Sequence, residues 1–289
     1  MSYGTLSANP VNHYNKISYT LSGTARTIHV FKTDPRTEGI APAVYETGSK
    51  KKLSKMNPPL DVIDRAANVM AKTNGNVMGS TDTSGDAFYG IFCVNRQLYQ
   101  NGESRTSNAI DCSFRSYPCF CIKTDGSVVI RWFESNYKFS LALPYCESII
   151  SGSAALVFNG QSVFADSVQS SDNHVIYNSN NPDDSNCHYN QRLHNNSASW
   201  TCARTFLGHT SDGSYLMVVC ESMPLFDGAK LMCDLGCDYA INLDGSTPSQ
   251  MRVANGYLNN VSGVSAGKVT DTGRDDTYYG TAVVAYKLP

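Results

Sequence analysis

Asp244 closes an apolar run, Tyr239–Leu243, and is followed at once by Gly245. A carboxylate that a buried strand delivers to a turn can activate water or stabilise a developing cation. Asn242 stands two residues earlier, so in a strand both side chains point to the same face. Arg204 lies in a second strand-like run, Ala203–Leu207, and its planar fork of donors suits the oxygens of a phosphodiester. Asn74 and Gly75 offer backbone amides at a turn. His209 follows Gly208 at the end of the Arg204 run and could act as acid or base near neutral pH. Each residue also has a plainer reading. Asp244 could be a turn aspartate bonding its own backbone, Arg204 one half of an ion pair within the sheet, with Asp244 as partner, and His209 a surface histidine in a turn. Glu147 is a conceivable second carboxylate, with a solvated loop residue as the alternative.

The chain has 289 residues, 41% of them apolar, enough for one sizeable core. Charged residues are only 17% and the formal net charge is −2, which argues against general attraction to nucleic-acid phosphates. Asn, Ser, Thr and Gly recur throughout, a composition suited to long loops and neutral hydrogen-bonding surfaces. No basic segment followed by an apolar run opens the sequence, and no apolar stretch is long enough to span a bilayer. A cytoplasmic or virion-associated protein without membrane contact is therefore expected, secreted only if a signal has been removed. In that light the sequons at Asn195 and Asn260 carry little weight.

Ten cysteines are present, most of them inside apolar runs: Cys93, Cys119, Cys121 and Cys220 read as buried reduced thiols. Cys233 and Cys237 lack the second pair of a zinc site. His174, Cys187, His188 and His194 match no standard ligand spacing, so neither metal nor cofactor is expected.

Short strands are read at Thr27–Lys32, Phe88–Val94, Cys119–Ile122, Val128–Phe133, Ala154–Phe158, Ser162–Phe164, Ala203–Leu207, Tyr215–Cys220, Tyr239–Leu243 and Thr281–Tyr286. Leu60, Ile63, Ala67 and Met70 recur at helical spacing, which predicts a helix over 60–72 that stops at Thr73-Asn74-Gly75. A second helix is expected from about Pro224 to Leu235, with Pro224 in its first turn and Gly236 as its C-cap. The first 18 or so residues read as an arm, with virion or oligomer contact as its expected use. Residues 166–200 are nearly devoid of aliphatic side chains and read as a functional loop or lid. Tyr177, Tyr189 and Trp200 in or beside it could stack on a sugar or a base, or simply anchor the loop. The sum is an α+β fold: one domain, 19–289, with a twisted mixed or antiparallel sheet and a few packed helices.

The segment Leu235-Gly236-Cys237-Asp238-Tyr239-Ala240-Ile241-Asn242-Leu243-Asp244-Gly245 closely resembles the LGA-x-x-A-x-NLDGG segment of the phosphodiester glycosidase family. Other blocks follow in the family's order over roughly 26–287. IHVFKTD at 28–34 is similar to its early strand, and AKTNG at 71–75 to the strand ending in its Asn-Gly-Gly turn. SIISGSAALVFNG at 148–160, ARTFLGHTSDGSYLMVV at 203–219 and SMPLFDGAKLMCDLG at 222–236 are similar to the blocks that follow.

The resemblance implies hydrolysis of a sugar–phosphate bond in a sugar-phosphate or phosphorylated glycan. Asp244 and His209 would be catalytic, and Arg204, Asn242, Asn74, Gly75, Gly208, Gly245 and Ser249 would bind substrate. Two departures stand out. Gly245 is followed by Ser246-Thr247-Pro248-Ser249 where the family has further glycine and then serine, and Asn74-Gly75 is followed by Asn76-Val77. They leave a second reading open: a protein that binds or sequesters a sugar-phosphate or nucleotide without cleaving it.

Overall fold

The computed structural model describes residues 2–44, 54–55, 68–75, 91–101, 118–131, 143–164, 173–177, 188–192, 201–243, 245, 249–270, 278–279 and 281–289. Among these residues the architecture is nearly all strand, and every strand pair is antiparallel.

The largest sheet has eight strands. In spatial order they are β1 (Thr5–Leu6), β2 (His13–Leu21), β3 (Thr24–Lys32), β17 (Tyr215–Met223), β16 (Cys202–Thr210), β18 (Cys237–Asn242), β12 (Ala154–Phe158) and β13 (Gln161–Ser162). A five-stranded sheet runs β20 (Gly267–Lys268), β19 (Met251–Val253), β6 (Val69–Asn74), β22 (Thr281–Lys287) and β4 (Glu38–Val44). A second one runs β10 (Val128–Arg131), β9 (Cys119–Lys123), β11 (Cys146–Ser151), β7 (Ile91–Val94) and β8 (Gln97–Asn101). Two small ribbons pair β14 (Asn173–Tyr177) with β15 (His188–Arg192), and β5 (Ser54–Lys55) with β21 (Tyr278–Tyr279).

Alternation along the long strands sends successive side chains into different layers. Leu207, Met217, Val219, Ile241 and Leu243 of the eight-stranded sheet or its margin meet Met70, Met251 and Val283 of one five-stranded sheet and Phe120, Ile130 and Ile150 of the other. On the opposite face, Phe206, Leu216, Val218, Cys220 and Ala240 pack with Leu225, Ala229, Leu231 and Met232 of α1 (Leu225–Asp234). Pro224 is the N-cap of that helix, and Gly236 just past its end adopts φ +81°, a left-handed conformation that favours glycine.

The α+β expectation is overturned: α1 is the only α-helix among the described residues, and the fold is essentially all-β. The main cause lies in the expected helix over 60–72. Residues 60–67 fall outside the described set, but Val69–Asn74 form β6, held between β19 and β22. Met70 through Asn74 are all buried, so both faces of β6 are covered. A strand buried on both faces loses the period-two alternation that marks a strand in sequence. The family resemblance, which implies a strand at 71–75, agrees with the structure here.

Residues 1–18, read as an arm, supply β1 and most of β2, with Tyr14 and Ile17 buried against the sheet. The polar segment 166–200 contains the β14–β15 ribbon, while Cys187, His194 and Trp200 lie outside the described residues. Cys93, Cys119, Cys121 and Cys220 are buried, as expected, and none forms a disulfide with another described cysteine. Burial pushes the Cys93 thiol up to about 11 and the Cys119 thiol up to about 12.

Candidate functional site

The N-terminal end of β16 and the C-terminal end of β18 lie side by side. Register places Phe206 opposite Asn242, and the Leu243 N–H donates to the Thr205 carbonyl at 2.8 Å. Arg204 is two residues from Phe206 on the same strand, so Arg204 and Asn242 share a face as diagonal neighbours. Thr205 points to the other face, where its hydroxyl donates to Asn74 Oδ1 across 2.7 Å. That bond ties the eight-stranded sheet to the end of β6.

The Gln250 N–H also donates to Asn74 Oδ1, at 3.3 Å. The chain that leaves β18 at Leu243 therefore returns beside Asn74 before entering β19. Asp244 itself, like 246–248, is outside the described residues. Its neighbour Gly245 is described: a Cβ added there would meet the Ala203 carbonyl oxygen at 3.2 Å and the Arg204 guanidinium at 3.5 Å. The tight approach is to the Ala203 carbonyl oxygen, while the arginine lies at ordinary contact distance.

Arg204 is 1% exposed, and its Nε donates to the Met223 carbonyl at 3.1 Å. Burial lowers its pKa, through the cost of desolvating the charge. Guanidinium remains protonated at neutral pH, so the turn is built on a fixed positive charge. The Asn242 amide donates to Ser153 Oγ at 2.6 Å and to the Leu243 carbonyl at 2.7 Å. Its own carbonyl oxygen is buried with no hydrogen-bond partner among the described residues. Ser249 and Gln250 are fully buried, and Gly75 follows Asn74 at the end of β6 in a buried position.

Six of the residues selected from sequence fall in one neighbourhood or directly border it: Arg204, Asn242, Asn74, Gly75, Gly245 and Ser249, while Asp244 lies outside the described residues. Two do not. Gly208 lies under α1, where an added Cβ would come within 2.5 Å of Cys237 Sγ and 2.6 Å of Met232 Cε. Its place in the fold is explained by helix packing. His209 is five residues along β16 from Arg204, about 16 Å at strand rise, and pairs with Tyr215 and Tyr239 at the strand's other end. Its ring meets Tyr215 edge-on at 5.2 Å, and burial lowers its pKa from 6.5.

Glu147 forms an exposed ion pair with Arg96 at 3.0 Å in the outer five-stranded sheet. Sequence reasoning overlooked Thr205, Ser153 and Gln250, which hold Asn74 and Asn242 in place. Thr205 stood next to Arg204 in the same motif, and that adjacency was the available signal. Among the described residues no group of three or more His, Cys, Asp or Glu side chains is placed to hold a metal.

Comparison with known proteins places this geometry. Among solved structures, the catalytic domain of zebrafish N-acetylglucosamine-1-phosphodiester alpha-N-acetylglucosaminidase, auto-inhibited by pro-peptide, is similar with a TM-score of 0.59 and 18% identity, over 98% of this chain and 86% of that one. A hypothetical protein from Synechocystis is similar at TM-score 0.55 and 10% identity, over 98% of this chain and 64% of that one. At such identities the likeness is one of fold. No curated protein matches the chain in sequence. The family model for phosphodiester glycosidases matches residues 67–273, which span β6, Arg204, Asn242 and the Asp-Gly turn; on that match, the chain belongs to the phosphodiester glycosidase family.

Proposed function

We propose that the protein hydrolyses the bond between a sugar and a phosphate in a glycosyl phosphodiester, such as a phosphorylated glycan. The observation that carries this reading is the buried guanidinium of Arg204 against Gly245, beside the family's Asp-Gly pair. Water supplies the oxygen that bonds to the anomeric carbon. The bond from that carbon to the phosphate oxygen breaks, and its electron pair leaves with the phosphomonoester. Asp244 takes the proton from water, or stabilises the oxocarbenium-like carbon. Arg204 offsets the negative charge on the departing phosphate. A phosphomonoester is already a good leaving group, so the chemistry needs no acid from His209. The name of the zebrafish protein, a phosphodiester-cleaving glucosaminidase, is consistent with this class of substrate.

One observation favours the second reading, binding without turnover. Ser246, Thr247 and Pro248 stand where the family keeps glycine and serine, a departure in sequence directly after the Asp-Gly pair. Asp244→Asn separates the two. The replacement keeps the shape and removes the charge and the basic lone pair. A hydrolase loses at least about a hundredfold in kcat on an activated glycosyl phosphodiester while keeping most of its affinity. Absence of turnover in the unmodified protein, with affinity alone altered by the substitution, would establish the binding reading instead.

A further inference from the structure

Beside the Asp-Gly turn, β17 carries one residue more than its partner β16. Arg204 pairs with Cys220 and Cys202 with Met223, so Ala203 alone faces both Glu221 and Ser222. A bulge of this kind bends its strand and re-aims a side chain. Ala203 is also the residue whose carbonyl oxygen lies 3.2 Å from a Cβ built on Gly245. Glu221 therefore borders the site across one strand spacing, about 5 Å between Cα atoms.

The carboxylate is held from behind by two buried side chains. Val219, two residues before Glu221, pairs with Thr205 on one side and with His29 of β3 on the other. His29 Nε2 lies 3.3 Å from Glu221 Oε1, and the Tyr14 hydroxyl lies 2.9 Å from His29 Nδ1. A carboxylate only accepts, so Nε2 donates, and Nδ1 of the neutral ring accepts from Tyr14. Tyr14 and His29 are fully buried, whereas the Glu221 side chain is 30% exposed. The line thus runs from the core outwards and ends on a carboxylate that solvent can reach. None of its three members has a part in the chemistry described so far.

We infer that Glu221 is the second carboxylate of the site and takes the proton of the attacking water, while Asp244 stabilises the reacting carbon. The inference rests on the hydrolase reading and narrows it, since that reading left the proton to Asp244. The water oxygen bonds to the anomeric carbon, and the water proton passes to Glu221 Oε2. The electron pair of the broken carbon–oxygen bond leaves with the phosphomonoester. His29 is a positioning residue: by donating to Oε1 it orients the carboxylate and leaves Oε2 to face the water. Glu221 contacts His29 on the Thr205 face of the sheet, and Arg204 projects to the opposite face. Base and cation therefore reach the turn from opposite faces, which suits a water that enters on one side of the sugar ring while the phosphate departs on the other.

Glu221→Gln and Glu221→Ala test this in the full chain, with hexosyl and N-acetylhexosaminyl methyl phosphodiesters as substrates. Glutamine keeps an oxygen for His29 to donate to and removes the base. Its kcat is expected to fall at least about a hundredfold, with KM within about threefold. Glu221→Ala opens room for azide, a nucleophile that needs no deprotonation. Azide is expected to restore kcat at least about tenfold in that variant and to yield a glycosyl azide. Unchanged kcat in folded Glu221→Gln overturns the inference, as does a loss in Glu221→Ala that azide does not relieve. A rise in KM with kcat kept overturns it as well, by making Glu221 a sugar-binding group. So does a Glu221→Gln protein that fails to fold, because the charge would then serve the fold. Turnover by the unmodified protein that is indifferent to both substitutions removes Glu221 and leaves the hydrolase. No turnover of any of these substrates by the unmodified protein removes the hydrolase reading and this inference with it.

Discussion

The two ends of β16 carry polar side chains of equal promise in sequence, yet the fold uses them differently. At the N-terminal end, Arg204 and Thr205 are buried and bonded to groups from other strands: the Met223 carbonyl and Asn74 Oδ1. At the C-terminal end, the strand runs into a local hairpin turn. There Asp212 accepts from Ser214 N–H at 3.0 Å, Thr210 also contributes its hydroxyl, and Lys32 lies 3.2 Å from the carboxylate. Those contacts hold the Asp212 carboxyl well below its ordinary range, the Thr210 hydroxyl being the main cause. Apart from Lys32 and the unpartnered His209 Nδ1, the polar groups at this turn satisfy one another over a few residues. Polar groups at the far end are drawn from β6, β16, β18 and the approach to β19, and converge where the chain leaves the sheet. A site needs convergence from distant sequence; a turn does not.

The comparison is sharpest at Arg204. Arg204→Met keeps the length of the side chain and removes the phosphate-binding fork, so kcat/KM is expected to fall about 10²–10³-fold on a glycosyl phosphodiester. The matching change at the other end, His209→Phe, should leave kcat/KM within about threefold, because no step of the proposed chemistry reaches it. A loss at His209 as large as that at Arg204 would collapse the distinction between the two ends.

Smaller effects separate packing from binding. Gly208→Ala forces a Cβ towards Cys237 Sγ and Met232 Cε, an overpacking expected to cost about 1–3 kcal/mol of stability. Urea unfolding would read that cost, while activity per folded molecule should be unchanged. Thr205→Val removes one donor to Asn74 Oδ1 but leaves the Gln250 N–H in place, so about 0.5–1.5 kcal/mol is expected. Here activity should fall as well, because Asn74 would no longer be fixed between the two sheets. A Thr205→Val variant that lost stability but kept full activity would make that tie purely structural.

These residues also show what the sequence could reveal. The runs at 154–158, 203–207, 215–220 and 239–243 announced themselves by apolar β-branched and aromatic content, and all are strands. The second helix was legible from Pro224 and Gly236, whose backbone preferences act locally. β6 was not legible from periodicity, because Lys72, Thr73 and Asn74 are polar yet buried on a central strand. Burial of that kind depends on β19 and β22, which come from the far end of the chain. β2 was missed for a related reason: its polar positions alternate with Tyr14 and Ile17, and only pairing with β3 gives those a covered face. At the site, motif resemblance located Arg204, Asn242 and Asn74. The same motifs swept in Gly208 and His209, because a contiguous block cannot say which end of a strand meets the rest of the site.

His209 offers the subtlest test of that last point. Its ring is largely enclosed, its Nδ1 has no hydrogen-bond partner among the described residues, and it meets Tyr215 edge-on. Desolvation lowers its pKa, and the carboxylates of Asp238 and Asp212 only partly oppose this. The unfolded chain, with an ordinary histidine pKa near about 6.5, therefore binds the proton more readily than the folded protein does. The stability that neutral His209 contributes is fully present above that value and is lost progressively as pH falls below it. Urea midpoints at pH 7.5 and pH 5.5 should thus drop more for the unmodified protein than for His209→Phe, which keeps an aromatic contact with Tyr215 and cannot titrate. The pH profile of kcat/KM should be the same for both, because the proton concerned sits about 16 Å along the strand from Arg204. If His209→Phe instead abolished a limb of the activity profile and left the urea midpoints parallel, the histidine would act in the reaction, and the C-terminal end of β16 would have to be counted as part of the site.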